Sequence, residues 1–295
     1  LGALADPRLA HGGPFDRAAG AHLDVVLDDD DARLRNLMVL AGMGGVAEAV
    51  LPDDRARVKD HPIAQNAAVV HGDAGMKHAR IAHDGVDAAL DSAERAQVEW
   101  AAMDPVERGR VLRDVARALE DHVEELADIS TQEIGRPIGQ SRGLVGNAVD
   151  YVDYYAGMTD KIEGQTFPLK QSNQAFSRKE PIGISAQIVP WNAPVLLCFR
   201  GVAPALAAGN AVVVKPSPFA PGVILKLAEI ASEAGLPDGL FNVVPGLVET
   251  SKSLTTDPRV DQITFTGSVS TGQIVGKAAI DQVVPTVLEL GGKSP

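Results

Sequence analysis

Cysteine is almost absent from this chain: there is one, Cys198, in 295 residues. A single thiol excludes an internal disulfide framework and fits a reducing, cytoplasmic setting. Aromatic residues make up only 4%, and they are unevenly placed: Phe15 is the only one before Trp100. Positive charge is scarce too, with a formal net charge of −12 and no basic cluster. That balance argues against nucleic acid or an anionic membrane surface as a partner. No apolar run has the length of a membrane span, and residues 1–30 lack the basic-then-apolar layout of a signal peptide. What remains is ordinary globular composition, 45% hydrophobic with 29 Gly and 19 Pro, enough for one large or two modest domains.

Residues 1–84 have a character of their own. They hold six of the seven histidines (His11, His22, His61, His71, His78 and His83) and an acidic run over residues 28–31. With one aromatic ring and few long apolar stretches, they have little surface to offset their ordering entropy. The expectation is a poorly ordered leader. A histidine metal site is the competing reading, but His71, His78 and His83 lack the spacing and cysteine partners such sites use.

From Val86 the apolar spacing turns helical. Ala89, Ala93, Ala96 and Trp100 fit one helix. Asp104-Pro105-Val106-Glu107 is a helix-start signature, with Asp at the N-cap, Pro at the first position and Glu at the third. The next helix is expected to bury Val111, Leu112, Val115, Leu119, Val123, Leu126 and Ile129 and to stop at Gly135 and Pro137. A third, over residues 143–158, carries Tyr151, Tyr154 and Tyr155, a cluster read as core. Residues 166–178 are extended and polar.

Residues 181–218 organise the rest. Residues 182–189 form a short β-branched strand, broken by Pro190-Trp191-Asn192. A helix then starts at Pro194 and ends at Gly209-Asn210, which tolerate a left-handed cap. Residues 211–214 form a second strand, followed by Lys215-Pro216-Ser217-Pro218. A βαβ unit of this kind places its strands parallel with a right-handed crossover. Ligands in such sheets bind at the carboxyl ends of the strands, where both turns fall. Further strands are expected near residues 241–244, 262–265 and 283–290, with helices between them.

Four segments carry a resemblance: PWN at residues 190–192, APALAAGNAVVVKPS at 203–217, FTGS at 265–268 and LELGGKSP at 288–295. In this order they resemble the NAD(P)-dependent aldehyde dehydrogenase superfamily over about residues 85–295. The resemblance implies an α/β fold, a Rossmann-like parallel sheet with helices on both faces. It also implies an extended oligomerisation arm over residues 164–180, and a parent protein that forms a homo-oligomer, a dimer or tetramer. The chain opens on Leu1 and closes inside the last motif, the layout expected of a piece whose catalytic domain lies elsewhere. Residues 1–84 fall outside the resemblance, leaving 85–295 as the dinucleotide-binding domain.

The implied activity is oxidation of an aldehyde to a carboxylic acid with NAD or NADP. In the family a cysteine thiolate forms a thiohemiacetal, hydride leaves, and a glutamate-activated water hydrolyses the thioester. By motif, Asn192 matches the oxyanion donor, with helix capping as its alternative role. Glu289 matches the general base. Lys215 and Ser217 match the adenosine-ribose contacts, and Ile188, Pro190 and Trp191 line the same place. Thr266, Gly267 and Ser268 match the pyrophosphate turn, where simple capping by Ser268 is the alternative. Gly246 matches a glycine near the adenine.

Three departures stand out. Pro218 replaces a glutamate common in NAD-specific members, which opens the site to NADP. The loop after Val244 reads Pro245-Gly246-Leu247-Val248, a residue short of the family's usual run. The family's nucleophile matches no residue here. Cys198 lies on the helix after the PWN turn among apolar neighbours and is read as a small hydrophobe. The alternative function is therefore a non-catalytic dinucleotide-binding module.

Overall fold

The strand segments Ala211–Lys215 and Ile184–Ile188 are short, mostly apolar and buried along almost their whole length, as parallel strands covered by helices must be. The computed structural model describes residues 75–170 and 172–292, with side chains from Asp84 onward. The expected loose leader lies largely outside the described residues, and so do the side chains of His71, His78 and His83.

Among the described residues four helices come first: α1 (Gly75–Ala102), α2 (Pro105–Asp121), α3 (Val123–Ile134) and α4 (Ile138–Ala156). A two-stranded antiparallel hairpin follows, β1 (Thr166–Phe167) with β2 (Ala175–Phe176). Then come β3 (Ile184–Ile188), α5 (Pro194–Ala207), β4 (Ala211–Lys215), α6 (Pro221–Glu233), β5 (Phe241–Val243), α7 (Val248–Thr256), β6 (Gln262–Gly267), α8 (Val269–Gln282) and β7 (Thr286–Leu290). The main sheet is parallel throughout, in the order β5-β4-β3-β6-β7. The α/β, Rossmann-like expectation holds. Helices α5 and α6 pack on one face; α1, α7 and α8 pack on the other. Helices α2, α3 and α4 form an outer layer over α5 and α6.

Trp100, Leu90, Leu112, Leu119, Phe199, Ile224 and Leu227 are fully buried in one core. Each such side chain contributes about 1.5–3 kcal/mol by leaving water. Trp100 also donates its indole N–H to the Leu206 carbonyl at 2.8 Å, tying α1 to the end of α5. Arg259 fixes the other flank of α1 through Asp87 and Asp91, and is itself held by Asp257 at the end of α7.

Several boundaries differ from the sequence reading. The single helix expected after Asp104 is two, parted at His122, whose φ of −106° and ψ of 15° leave the helical region. Its imidazole Nδ1 lies 2.7 Å from the Ala118 carbonyl, a local partner that competes with the helix ladder. Asp104 caps as expected, accepting from the Val106 N–H at 2.8 Å. Glu107 pairs with Arg110 instead of reaching back to complete a capping box. Helix α4 begins at Ile138, five residues before the position expected, because Pro137 stands at its N-cap. Asn210 does not extend the cap of α5. Gly209 takes the positive φ, and the Asn210 side chain accepts from Ile182 and Gly183 N–H to set the entry to β3. The last strand begins at Thr286, since Val283, at φ 60°, is the left-handed cap of α8.

Candidate functional site

The sheet order changes direction at β3, whose neighbours β4 and β6 are entered by crossovers on opposite faces. That is the switch point where the loops after the strands part and leave a crevice. Register brings the strand ends level: Ile188 pairs with Lys215 on one side and with Phe265 on the other. One row further out, Thr266 pairs with Glu289, and Gly267 with Leu290. Pro190, Trp191 and Asn192 follow β3, Ser217 follows β4, Gly246 follows β5 and Ser268 follows β6. The candidate catalytic and cofactor-binding residues therefore lie along the carboxyl end of one sheet.

Lys215 is the outlier among them. It is 5% exposed, and its ammonium has no hydrogen bond or ion pair among the described residues. Burial pushes it down from 10.5 to about 8, because a low-dielectric setting penalises the charged form. The stem is buried while the nitrogen still reaches solvent, which leaves the amine open to a partner from outside the chain.

The turn after β3 leaves Asn192 exposed. Its side-chain amide has no partner among the described residues. The N-cap of α5 is Ala193, without a side-chain capping bond, so the capping role does not fall to Asn192. The Asn192 carbonyl instead accepts from Arg136. Trp191 is 41% exposed and meets Phe219 edge-on, ring centroids 6.5 Å apart. These two rings bridge the loops after β3 and β4. Ser217 accepts from the Phe219 N–H at 3.3 Å, shaping that second loop.

Ser268 is the N-cap of α8 and accepts from the Thr271 N–H at 3.2 Å, so its capping role is present. Its hydroxyl also contacts those of Ser270 and Thr271 at 3.1 and 2.9 Å. The start of this 14-residue helix thus exposes three hydroxyls and its unpaired first amides, a favourable setting for an anion. Gly267 is needed there: a Cβ would come within 2.5 Å of the Phe265 ring. At Gly246 a Cβ would stand 2.0 Å from Thr250 Oγ1.

Glu289 is half-exposed and paired with Arg200, Nη2 to Oε1 3.0 Å. Cys198 is fully buried in the core, and burial pushes its thiol far up. Among the described residues no group of three or more His, Cys, Asp or Glu side chains is arranged to hold a metal. None of their helices is long and apolar enough to cross a membrane.

Sequence reasoning missed four residues at this edge: Glu133, Arg136, Arg200 and Phe219. Arg200 had a signal, as the only charged residue of α5. Gly135-Arg136-Pro137 read only as a helix stop.

A model of the aldehyde dehydrogenase family matches residues 61–295. The chain belongs to the aldehyde dehydrogenase family. The match begins ahead of the boundary expected at residue 85. Among solved structures, the chain is 41% identical to a Burkholderia cenocepacia protein assigned as an aldehyde dehydrogenase, with a TM-score of 0.71 over 72% of this chain and 45% of that one. An NAD-dependent aldehyde dehydrogenase from Sinorhizobium meliloti is 40% identical, with a TM-score of 0.70 over 72% and 43%. An NADP-dependent enzyme from E. coli is 36% identical, with a TM-score of 0.71 over 72% and 45%. The chain spans less than half the length of each of these relatives.

Proposed function

We propose that this chain is the dinucleotide-binding part of an NAD(P)-dependent aldehyde dehydrogenase. The observation that carries this reading is Lys215, its side chain buried at the switch point of the sheet and its amine without a hydrogen bond or ion pair among the described residues. The residues present fit a dinucleotide. Lys215 and Ser217 would take the adenosine ribose, the exposed start of α8 at Ser268 the pyrophosphate, and the loop at Gly246 would lie near the adenine. Ile188, Pro190 and Trp191 would line the space between them, and Thr266 and Gly267 would lead into the pyrophosphate turn. A bound nicotinamide would accept hydride from the aldehyde carbon.

In the parent protein Asn192 donates its side-chain N–H to the oxygen that gains charge as the carbonyl is attacked. Glu289, once free of Arg200, takes a proton from water during hydrolysis. Pro218 places no carboxylate beside the ribose, so NAD and NADP are both accepted. The aldehyde is the substrate class, and a homo-oligomer built through the residue 164–180 arm is the proposed assembly.

A second reading rests on Cys198. The only thiol of the chain is buried, and burial suppresses the thiolate. These residues then bind the dinucleotide without turning over an aldehyde. The test is to assay the purified chain with several aldehydes and both dinucleotides, beside Cys198→Ala. The expected result is binding without oxidation. Oxidation that disappears in Cys198→Ala would make Cys198 the nucleophile and overturn this assignment.

A further inference from the structure

The outer layer reaches the crevice at the corner between α3 and α4. Glu133, in the last turn of α3, accepts from the Gly222 N–H at 2.6 Å and the Val223 N–H at 3.0 Å. These are first-turn amides of α6, the helix entered from the Lys215–Pro218 loop. Gly222 permits this approach, since a Cβ there would meet Glu133 Oε1 at 2.8 Å. Three residues later Arg136 donates through Nη2 to the Asn192 carbonyl and through Nη1 to Gln140 Oε1 at 3.3 Å. Its Nε is buried with no partner, so its fork is held by this geometry at some cost.

The corner itself is stiff. Gly135 caps α3 in the left-handed region, at φ 71°, with its N–H on the Thr131 carbonyl at 2.9 Å. Pro137 then fixes its own φ and restricts Arg136 before it. Thr131 Oγ1 donates to Ser141 Oγ at 2.8 Å, stitching α3 to α4.

We propose that residues 133–137 brace the crevice: Arg136 is a positioning residue for the turn that carries Asn192, and Glu133 does the same for the start of α6. The two attachments sit on one rigid corner, so the oxyanion side and the ribose side of the crevice are held at a fixed separation. The role given to Asn192 rests on the function proposed above; the brace itself does not.

Trp191 reports on the turn directly. The other tryptophan, Trp100, is 1% exposed and hidden from iodide. Iodide quenching is therefore measured on the full chain without dinucleotide, in wild type, Arg136→Met, Arg136→Gln and Arg136→Lys. Loss of the charged donor raises Trp191 quenching in the Met and Gln variants while Trp100 stays protected. Lysine keeps the charge without the planar fork and gives an intermediate value. NAD titrations of the same proteins show affinity weakened roughly tenfold in Arg136→Met, the scale of one charge-assisted hydrogen bond. Wild-type quenching in folded Arg136→Met or Arg136→Gln overturns the brace. If wild type binds no dinucleotide while Arg136→Met still frees Trp191, the brace stands and the proposed function falls.

Discussion

Arg200 Nη2 lies 3.0 Å from Glu289 Oε1, joining the helix after the Asn192 turn to the last strand of the sheet. The side chains are 33% and 46% exposed, so solvent screens the pair. A double-mutant cycle of Arg200→Met and Glu289→Gln should give a coupling below about 1 kcal/mol in urea unfolding. A larger coupling would mean that Glu289 is locked to Arg200 and unable to leave it as a base.

Lys215 predicts a conflict between stability and binding. Its value falls from 10.5 to about 8 on folding, so the fold favours the neutral amine. The associated stability is present above 10.5 and lost as pH falls through about 8. Lys215→Met should therefore stabilise the chain at pH 7 by roughly 1–3 kcal/mol. The gain should shrink as pH rises toward 10.5. Thermal unfolding at several pH values checks it; a destabilised variant at pH 7 would show that Lys215 has a partner in the folded chain.

Glu133 predicts the opposite pH sense. Desolvation raises it above the ordinary carboxylate value of 4.5, against the pull of the Val223 and Gly222 amides. A raised acid contributes stability that is complete below 4.5 and lost as pH climbs through its folded value. Wild type should lose stability relative to Glu133→Gln across that interval in urea unfolding. A constant difference between the two would show that the carboxylate stays at its ordinary value.

Gly246 is constrained by packing. A Cβ would overlap Thr250 Oγ1 at 2.0 Å, and Thr250 is buried. Gly246→Ala should cost about 1–3 kcal/mol, as overpacking does. Unchanged unfolding would mean that the loop yields freely.

The site's backbone was legible in the sequence because turn chemistry marks strand ends. PWN, KPSP, PG and FTGS each interrupt an apolar run, and each stands at the carboxyl edge of the sheet. The buried periodicity of Leu112, Val115 and Leu119 was equally plain. The ties between layers were not. Arg136 to Asn192 spans 56 positions and Glu133 to Gly222 spans 89, and no local pattern announces a contact at that range. His122 broke a helix whose apolar spacing runs on without interruption, because spacing records which face is buried and not whether the ladder is continuous. Val283 looked like strand by its β-branched side chain, yet it takes a left-handed cap, where tertiary context overrides propensity.

The most direct test of the central claim is a calorimetric titration of the purified chain at pH 7 with NAD and with NADP, in wild type and Lys215→Met. The account predicts that wild type binds both, with a preference of less than about a hundredfold, roughly 2.7 kcal/mol, and that Lys215→Met weakens both while remaining folded. Equal affinities in wild type and Lys215→Met, or no binding by a folded wild type, would contradict it.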